Sequence, residues 1–174
     1  MFRHVPGLFY APRRTWTHIH DDIERRPWAF LPLLLIGSLI PALSTWYGGT
    51  NVGWELFGSE DRRFLTSQSG ALLGVAVWLA FVTNAVIMGY IVRWVLFRTP
   101  HRPPASHGIA FATFLSMPFM LGGLAALYPE RWLLLPVFGL VGFFSIVQLY
   151  FGLPHFMRLA QDKAYFYGAC IIGA

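Results

Sequence analysis

The chain has 174 residues, of which 56% are hydrophobic and 12% are charged, whereas an ordinary soluble domain is about 25% charged. Its formal net charge is +5, but the arginines are spread over several short connections and form no basic block with interleaved aromatic residues, which argues against nucleic-acid binding. Cys170 is the only cysteine, so an internal disulfide and a cysteine-based zinc site are excluded. The composition is that of an integral membrane protein.

The N-terminal segment is polar and charged, and no small-residue cleavage site follows a short apolar stretch there, so we expect no cleaved signal peptide. After Pro12, the apolar residues Trp16, Ile19 and Ile23 recur at helical spacing. This pattern predicts an amphipathic interfacial helix at about residues 12–26 that lies on the membrane surface or against the bundle, with a short solvated helix as the alternative.

Four long runs with few or no charged residues predict four complete transmembrane helices, because each exceeds the ~18 residues that mark a spanning segment. We place them at residues 28–46, 70–97, 106–127 and 132–152. The apolar end of the chain, residues 164–174, is too short to span and is predicted to be the start of a fifth helix. The predicted fold class is therefore an all-α, polytopic helical membrane bundle that forms a single domain over residues 1–174.

The basic residues predict the orientation of the bundle. One side collects ten of them: Arg3, Arg13, Arg14, Arg25, Arg26, Arg93, Arg98, Arg102, Arg158 and Lys163. The other side collects three: Arg62, Arg63 and Arg131. By the positive-inside rule the N-terminus is predicted to be cytoplasmic, in the bacterial inner membrane.

Two prolines inside the predicted spans mark candidate kinks. Pro41 lies inside the first span, and Pro118 lies near the middle of the third, followed by Gly122 and Gly123. A proline supplies no amide proton, so we expect a polar partner for the carbonyl of Phe114, which Pro118 leaves without its usual donor. The two glycines would let another helix, or a ligand, approach the bend.

Close helix packing is predicted at small residues that recur three or four apart on the second and fourth spans: Gly70, Gly74, Ala85, Gly89, Gly139 and Gly142. Packing within one bundle is the preferred interpretation, with self-association through the same face as the alternative. The polar residues expected inside the bundle are Asn84, Thr113, Ser116, Ser145 and Gln148. Interhelical hydrogen bonds are their default use, and lining a ligand path is the alternative.

Chemistry-bearing patterns are scarce. His18 and Asp22 lie one turn apart and could share a divalent metal, but two ligands do not make a site. No Asp, Glu or Lys falls at bilayer depth, which argues against a proton relay or an ion-coupled carrier. Because no phosphate-binding loop, nucleophile elbow or metalloprotease motif is present either, we expect no catalytic, cofactor or metal site, and not an enzyme.

Several short stretches, taken in order, resemble the Yip family of membrane proteins, and in particular its small bacterial inner-membrane branch. They are Gly7-Leu8-Phe9 with Pro12 and Ile19, Gly53-Trp54, Arg102-Pro103, Pro118, the run from Gly123 to Pro129, and Tyr150-Phe151-Gly152-Leu153-Pro154. The family is named in eukaryotes for interaction with Ypt/Rab GTPases. The resemblance implies a five-helix bundle with a cytoplasmic N-terminus, no established enzymatic activity and, in bacteria, no Rab partner.

The first functional hypothesis is a non-catalytic inner-membrane protein that organises or assists other membrane proteins. Its partners would be membrane lipids and other membrane proteins, in a homo-oligomer or a larger complex. The alternative is a small transporter or lipid-handling protein whose pathway passes Pro118. A polar stripe that faces a pore would favour the alternative, whereas a dry bundle with internally satisfied polar groups would favour the first hypothesis.

Overall fold

The computed structural model describes residues 1–55, 62–98 and 103–173. The α-helices of this part of the chain are α1 (His4–Tyr10), α2 (Pro12–Arg25), α3 (Leu31–Gly37), α4 (Leu39–Tyr47), α5 (Ser67–Val95), α6 (Ala105–Leu115), α7 (Met117–Gly122), α8 (Arg131–Phe156) and α9 (Gln161–Gly173). Shorter elements are a π-helix at Gly48–Val52, 3-10 helices at Leu96–Arg98 and Gly123–Leu127, and the antiparallel two-residue strands β1 (Trp54–Glu55) and β2 (Arg62–Arg63).

Four helical segments are long and apolar enough to cross a membrane: Leu31–Val52, Ser67–Val95, Ala105–Leu127 and Arg131–Phe156. The predicted fold class, an all-helical membrane bundle, is thereby confirmed. The spans differ in burial. In the third span 56% of the most apolar stretch is buried, whereas in the second span only 11% is buried. The third span therefore lies at the centre of the bundle, and much of the surface of the second faces outward.

The first span is broken one turn before its proline. Helix α3 ends at Gly37, whose carbonyl is the one that Pro41 leaves without an amide donor, and α4 begins at Leu39. Between them, Ser38 is fully buried, and its hydroxyl donates a hydrogen bond to the carbonyl of Leu35 at 3.1 Å. A side-chain donor thus serves the backbone at the break.

The third span has the same design. Helix α6 ends at Leu115 and α7 begins at Met117, so the break lies at Ser116, two residues before Pro118. The Ser145 hydroxyl, from α8, donates to the carbonyl of Leu115 at 3.2 Å. The polar partner expected at the carbonyl of Phe114 is therefore placed at the neighbouring carbonyl, and it comes from another helix.

Glycines allow the second and third spans to cross closely. A Cβ atom added at Gly89 of α5 would lie 2.6 Å from both the backbone nitrogen and the Cα of Ile109 on α6. Gly108 faces the carbonyl of Gly89 from the other side. A side chain at either glycine would collide with backbone, which cannot yield as a flexible side chain can.

The glycines of α8 behave differently from the prediction. A Cβ atom at Gly139 would meet nothing within 4 Å, and one at Gly142 would meet only the ring of Phe119, at 3.9 Å. The expectation that this pair mediates close packing is wrong. The three-residue spacing is compatible with packing, but at these glycines no backbone from another part of the described chain comes within 4 Å of the added Cβ atom.

The amphipathic segment packs against the bundle rather than lying apart from it. The side chains of Trp16, Ile19 and Ile23 on α2 are fully buried. The indole ring of Trp16 lies 5.1 Å from the ring of Phe111 on α6 and 5.7 Å from that of Phe156 on α8. Helix α2 therefore completes the bundle core at one end of the spans.

The amide of Gln148 joins the N-terminal helices to the fourth span. This side chain is 1% exposed. Its oxygen accepts a hydrogen bond from the indole nitrogen of Trp16 at 3.0 Å, and its nitrogen donates to the carbonyl of Leu8. Helix α1, which the sequence reading did not predict, is held in place by this contact.

We expect Gly89→Leu to lower the stability of the bundle by about 3 kcal/mol, because overpacking against backbone forces the two helices apart. Thermal unfolding of the purified protein in a mild detergent measures the effect. Gly139→Leu is the matched control and should leave the melting temperature nearly unchanged, since its side chain would enter open space. Equal losses for the two variants would contradict the packing described here.

We expect Gln148→Met to loosen α1 and α2 while leaving the four spans inserted. The substitution leaves the Trp16 indole N–H and the Leu8 carbonyl buried without a partner, at a cost of about 1–3 kcal/mol for each group. Limited proteolysis should then cleave within residues 1–26 faster than in the wild type. Ile146→Met, on the exposed side of the same helix, should not change the cleavage rate, and unchanged cleavage of Gln148→Met would refute the anchoring role.

Candidate interaction site

Polar side chains inside the bundle form hydrogen bonds with other groups of the same chain. The Thr113 hydroxyl donates to the carbonyl of Ile109 at 2.8 Å, and the Ser116 hydroxyl donates to that of Ala112 at 2.8 Å. With the contacts of Ser145 and Gln148 given above, four of the five predicted interior polar residues have partners within the bundle. These four side chains serve packing and are not free to line a pathway.

Asn84 is the exception. It was expected inside the bundle, but its side chain is exposed, and it makes no hydrogen bond with any residue that the structure describes. The 29-residue helix α5 is centred near Phe81, so Asn84 lies about 4.5 Å along the axis from the middle of the span. An amide is therefore presented outward at mid-membrane depth.

Between Ala71 and Trp94, the exposed face of α5 is otherwise apolar, apart from Thr83 next to Asn84 and the hydroxyl of Tyr90. Its larger exposed residues are Leu72, Leu79, Ile87, Tyr90 and Trp94. The buried face carries the predicted small residues instead, at Gly70, Gly74, Ala85 and Gly89. Self-association through the small-residue face would have to displace the helices already packed there, so the outward face is the one available to a partner.

Gly70 and Gly74 lie against the first span. A Cβ atom at Gly70 would come within 2.6 Å of the Thr50 methyl group, and one at Gly74 would lie 3.1 Å from the carbonyl oxygen of Ala42. Beside this contact, an apolar groove of about 570 Å³ runs between α4 and α5, with Trp46 and Trp78 among its walls. The groove suits a hydrocarbon chain or an apolar helix surface.

The region around Pro118 is filled by protein. A Cβ atom at Gly122 would lie 2.7 Å from a methyl group of Val141, and one at Gly123 would lie 2.5 Å from the Cβ of Pro41. The two kink prolines are thus linked through Gly123, with the broken first span seated on the broken third span. The glycines after Pro118 admit neighbouring helices.

The structure gives His18 and Asp22 different surroundings. His18 is exposed, while the Asp22 carboxylate accepts hydrogen bonds from His4 and Arg3, each at 2.8 Å. The His4 bond, followed by the Arg3 bond, lowers the pKa of Asp22 below its usual value. These contacts hold α1 against α2 and engage the Asp22 carboxylate within the protein.

A different group on α2 could hold a metal ion by its composition. The ligand atoms of His20, Asp21 and Glu24 lie within 4.8 Å of one another, and His20 Nε2 is 3.1 Å from Glu24 Oε1. Sequence reading missed it because His20 lies on the buried face of the helix, where a histidine most often packs. Its ring stands edge-on to that of Phe156, with centroids 5.6 Å apart.

Comparison with known proteins supplies the family. The model of the Yip1 domain matches residues 7–174. The chain belongs to the Yip1 family. Inner membrane protein YohC of Escherichia coli K12 is 30% identical over 160 residues, which cover 92% of this chain and 82% of the relative. The same protein of E. coli O6:H1 matches to the same extent, and no solved structure matches the chain.

Membership of the Yip1 family agrees with the resemblance read from the sequence. Both partners of the hydrogen bond between Gln148 and Leu8 lie within the matched residues 7–174. It also includes Asn84 and both kink prolines. The N-terminal helices are thus part of the Yip1 unit together with the four spans.

Proposed function

We propose that this Yip1-family chain is a non-catalytic protein of the inner membrane that organises or assists other membrane proteins by associating with their transmembrane helices. The observation that carries the proposal is the outward amide of Asn84 at mid-membrane depth. In hydrocarbon there is no water to satisfy an amide, and an unpaired polar group there costs several kcal/mol. A partner helix that supplies a hydrogen bond removes this cost.

A second copy of the chain is the partner that the chemistry of this site favours. An asparagine amide is both a donor and an acceptor, so two copies of Asn84 can bond to each other across a two-fold axis. Interhelical hydrogen bonds in membranes contribute about 0.6 to 1.7 kcal/mol. The apolar face around Asn84 would add dispersion contacts along α5.

The residues described around Pro118 do not favour the alternative, a transporter with a pathway past this proline. Interior hydroxyls and the Gln148 amide are bonded within the protein, and the glycines at the kink receive Val141 and Pro41. A transport path needs polar groups that a substrate can reach.

The inner membrane is proposed as the location because YohC is named for it, and the N-terminus is proposed to be cytoplasmic. The basic residues carry the orientation, since ten of the thirteen would lie on the cytoplasmic side. Helices α1 and α2 would then lie at the cytoplasmic ends of the spans.

We expect Asn84→Leu to reduce self-association about three- to twenty-fold, the range that corresponds to the loss of one interhelical hydrogen bond. Two differently tagged copies are coexpressed, and the fraction that copurifies in mild detergent is measured. Asn84→Gln retains the amide and should keep most of the association. Copurification that is unaffected by Asn84→Leu, or a wild-type protein that never copurifies with itself, would contradict pairing through this residue.

For the orientation, single cysteines are introduced at Ser67 and at Ala160 in a Cys170→Ser background; both positions are exposed. A thiol reagent that cannot cross the membrane should label the Ser67→Cys protein in intact cells, and the Ala160→Cys protein only after the membrane is opened. The reverse pattern would overturn the proposed orientation without bearing on Asn84.

A further inference from the structure

A large basic cavity lies where the N-terminal helices meet the first span. Its volume is about 920 Å³, and three arginines line it: Arg3, Arg25 and Arg26. Asp22, Trp28 and Pro32 also line it. This volume is typical of a small-molecule site. Among its lining residues, only Pro32, at the start of α3, belongs to a span, and none belongs to α5.

The charge of the cavity is positive. Asp22 is its only acidic lining residue, and its carboxylate is already engaged by His4 and Arg3. The side chains of Arg25 and Arg26 have no hydrogen bond or ion pair with the described part of the chain. Both arginines line the cavity and are exposed, so their guanidinium donors are free for an anion. A guanidinium matches the oxygens of a phosphate group in a fork geometry.

The position of the cavity along the membrane normal indicates which anion it meets. Arg26 and Trp28 belong to the short turn before the first span, which begins at Leu31. Trp28 is 56% exposed, and tryptophan favours the headgroup level of a bilayer. From there Leu31 and Leu35, one turn apart and both exposed, continue along the span. A charged group in the cavity would be followed by an apolar surface suited to acyl chains.

We propose that this cavity binds the phosphate headgroup of an anionic phospholipid, with Arg25 and Arg26 as the residues that recognise it. The phosphate accepts hydrogen bonds from the two guanidinium groups, and the acyl chains lie along the exposed leucines of α3. Arg3 contributes positive charge while it remains bonded to Asp22. The site is independent of Asn84, which lies about half a bilayer away.

The test measures lipid binding to the purified full chain in a neutral detergent by native mass spectrometry. Cardiolipin and phosphatidylglycerol are the anionic probes, phosphatidylcholine is the zwitterionic control, and inorganic phosphate is the headgroup without chains. The wild type is expected to bind the anionic lipids at least about tenfold more tightly than phosphatidylcholine. Inorganic phosphate at millimolar concentration should not displace them.

Two double variants separate this cavity from general electrostatic attraction. Arg25→Gln with Arg26→Gln should lower the affinity for anionic lipid at least about tenfold. Arg14→Gln with Lys163→Gln removes the same charge from exposed positions outside the cavity and should change the affinity less than about twofold. Without lipid, the two double variants should have the same melting temperature.

Three results would overturn the proposal: equal losses in the two double variants, no preference of the wild type for anionic lipid, or displacement by inorganic phosphate alone. The last would assign the cavity to a free phosphate group. The wild-type preference is measured without any substitution, so the test does not depend on whether a variant folds.

Discussion

The buried amide of Gln148 is the contact on which the arrangement of the helices depends most. One side chain on the fourth span satisfies a donor from α2 and an acceptor from α1, which are 132 and 140 residues away in sequence. With Trp16 held by this amide, its ring packs against Phe111 and Phe156, which also stack on each other. The N-terminal segment is thus fixed by a polar contact and an aromatic contact at the same place. The basic cavity lies among residues before α1, in α2 and at the start of α3.

At the opposite side of the core, two broken helices support each other. Pro41 and Pro118 each interrupt a span, and Gly123 lets the first span lie directly on the third. A proline that removes a backbone bond in hydrocarbon is tolerated where other groups serve the freed carbonyls. Here serine hydroxyls donate to carbonyls beside the freed ones, from Ser38 to Leu35 and from Ser145 to Leu115. The kinks are therefore part of the packed core, and the central third span can be both irregular and well packed.

Four spans, both kinks and the amphipathic helix α2 were predicted from sequence, because each depends on local properties: run length, a missing amide proton, and apolar spacing. What failed depends on the neighbours of a residue. Helix α5 is apolar almost all round, so periodicity did not show that Asn84 faces outward, and Gly139 has the sequence spacing of a packing residue without a helix beside it. Helix α1 was missed because its stabilisation comes from Gln148, far away in the chain.

The polar residues of the interior and those of the surface have different roles. Inside, hydroxyls and an amide are bonded to the protein, so they are unavailable to a substrate. On the surface, Asn84 lies near the middle of the membrane, and Arg25 and Arg26 lie at its edge. For a ~30 Å hydrocarbon core, the depth of Asn84 and the depth of the two arginines differ by about 15 Å along the membrane normal. A helix at the first position and a lipid headgroup at the second would not compete. Under the proposed function, such a protein would act through the helices and lipids that surround it, and bound lipid at one edge would leave the α5 face free for a second copy.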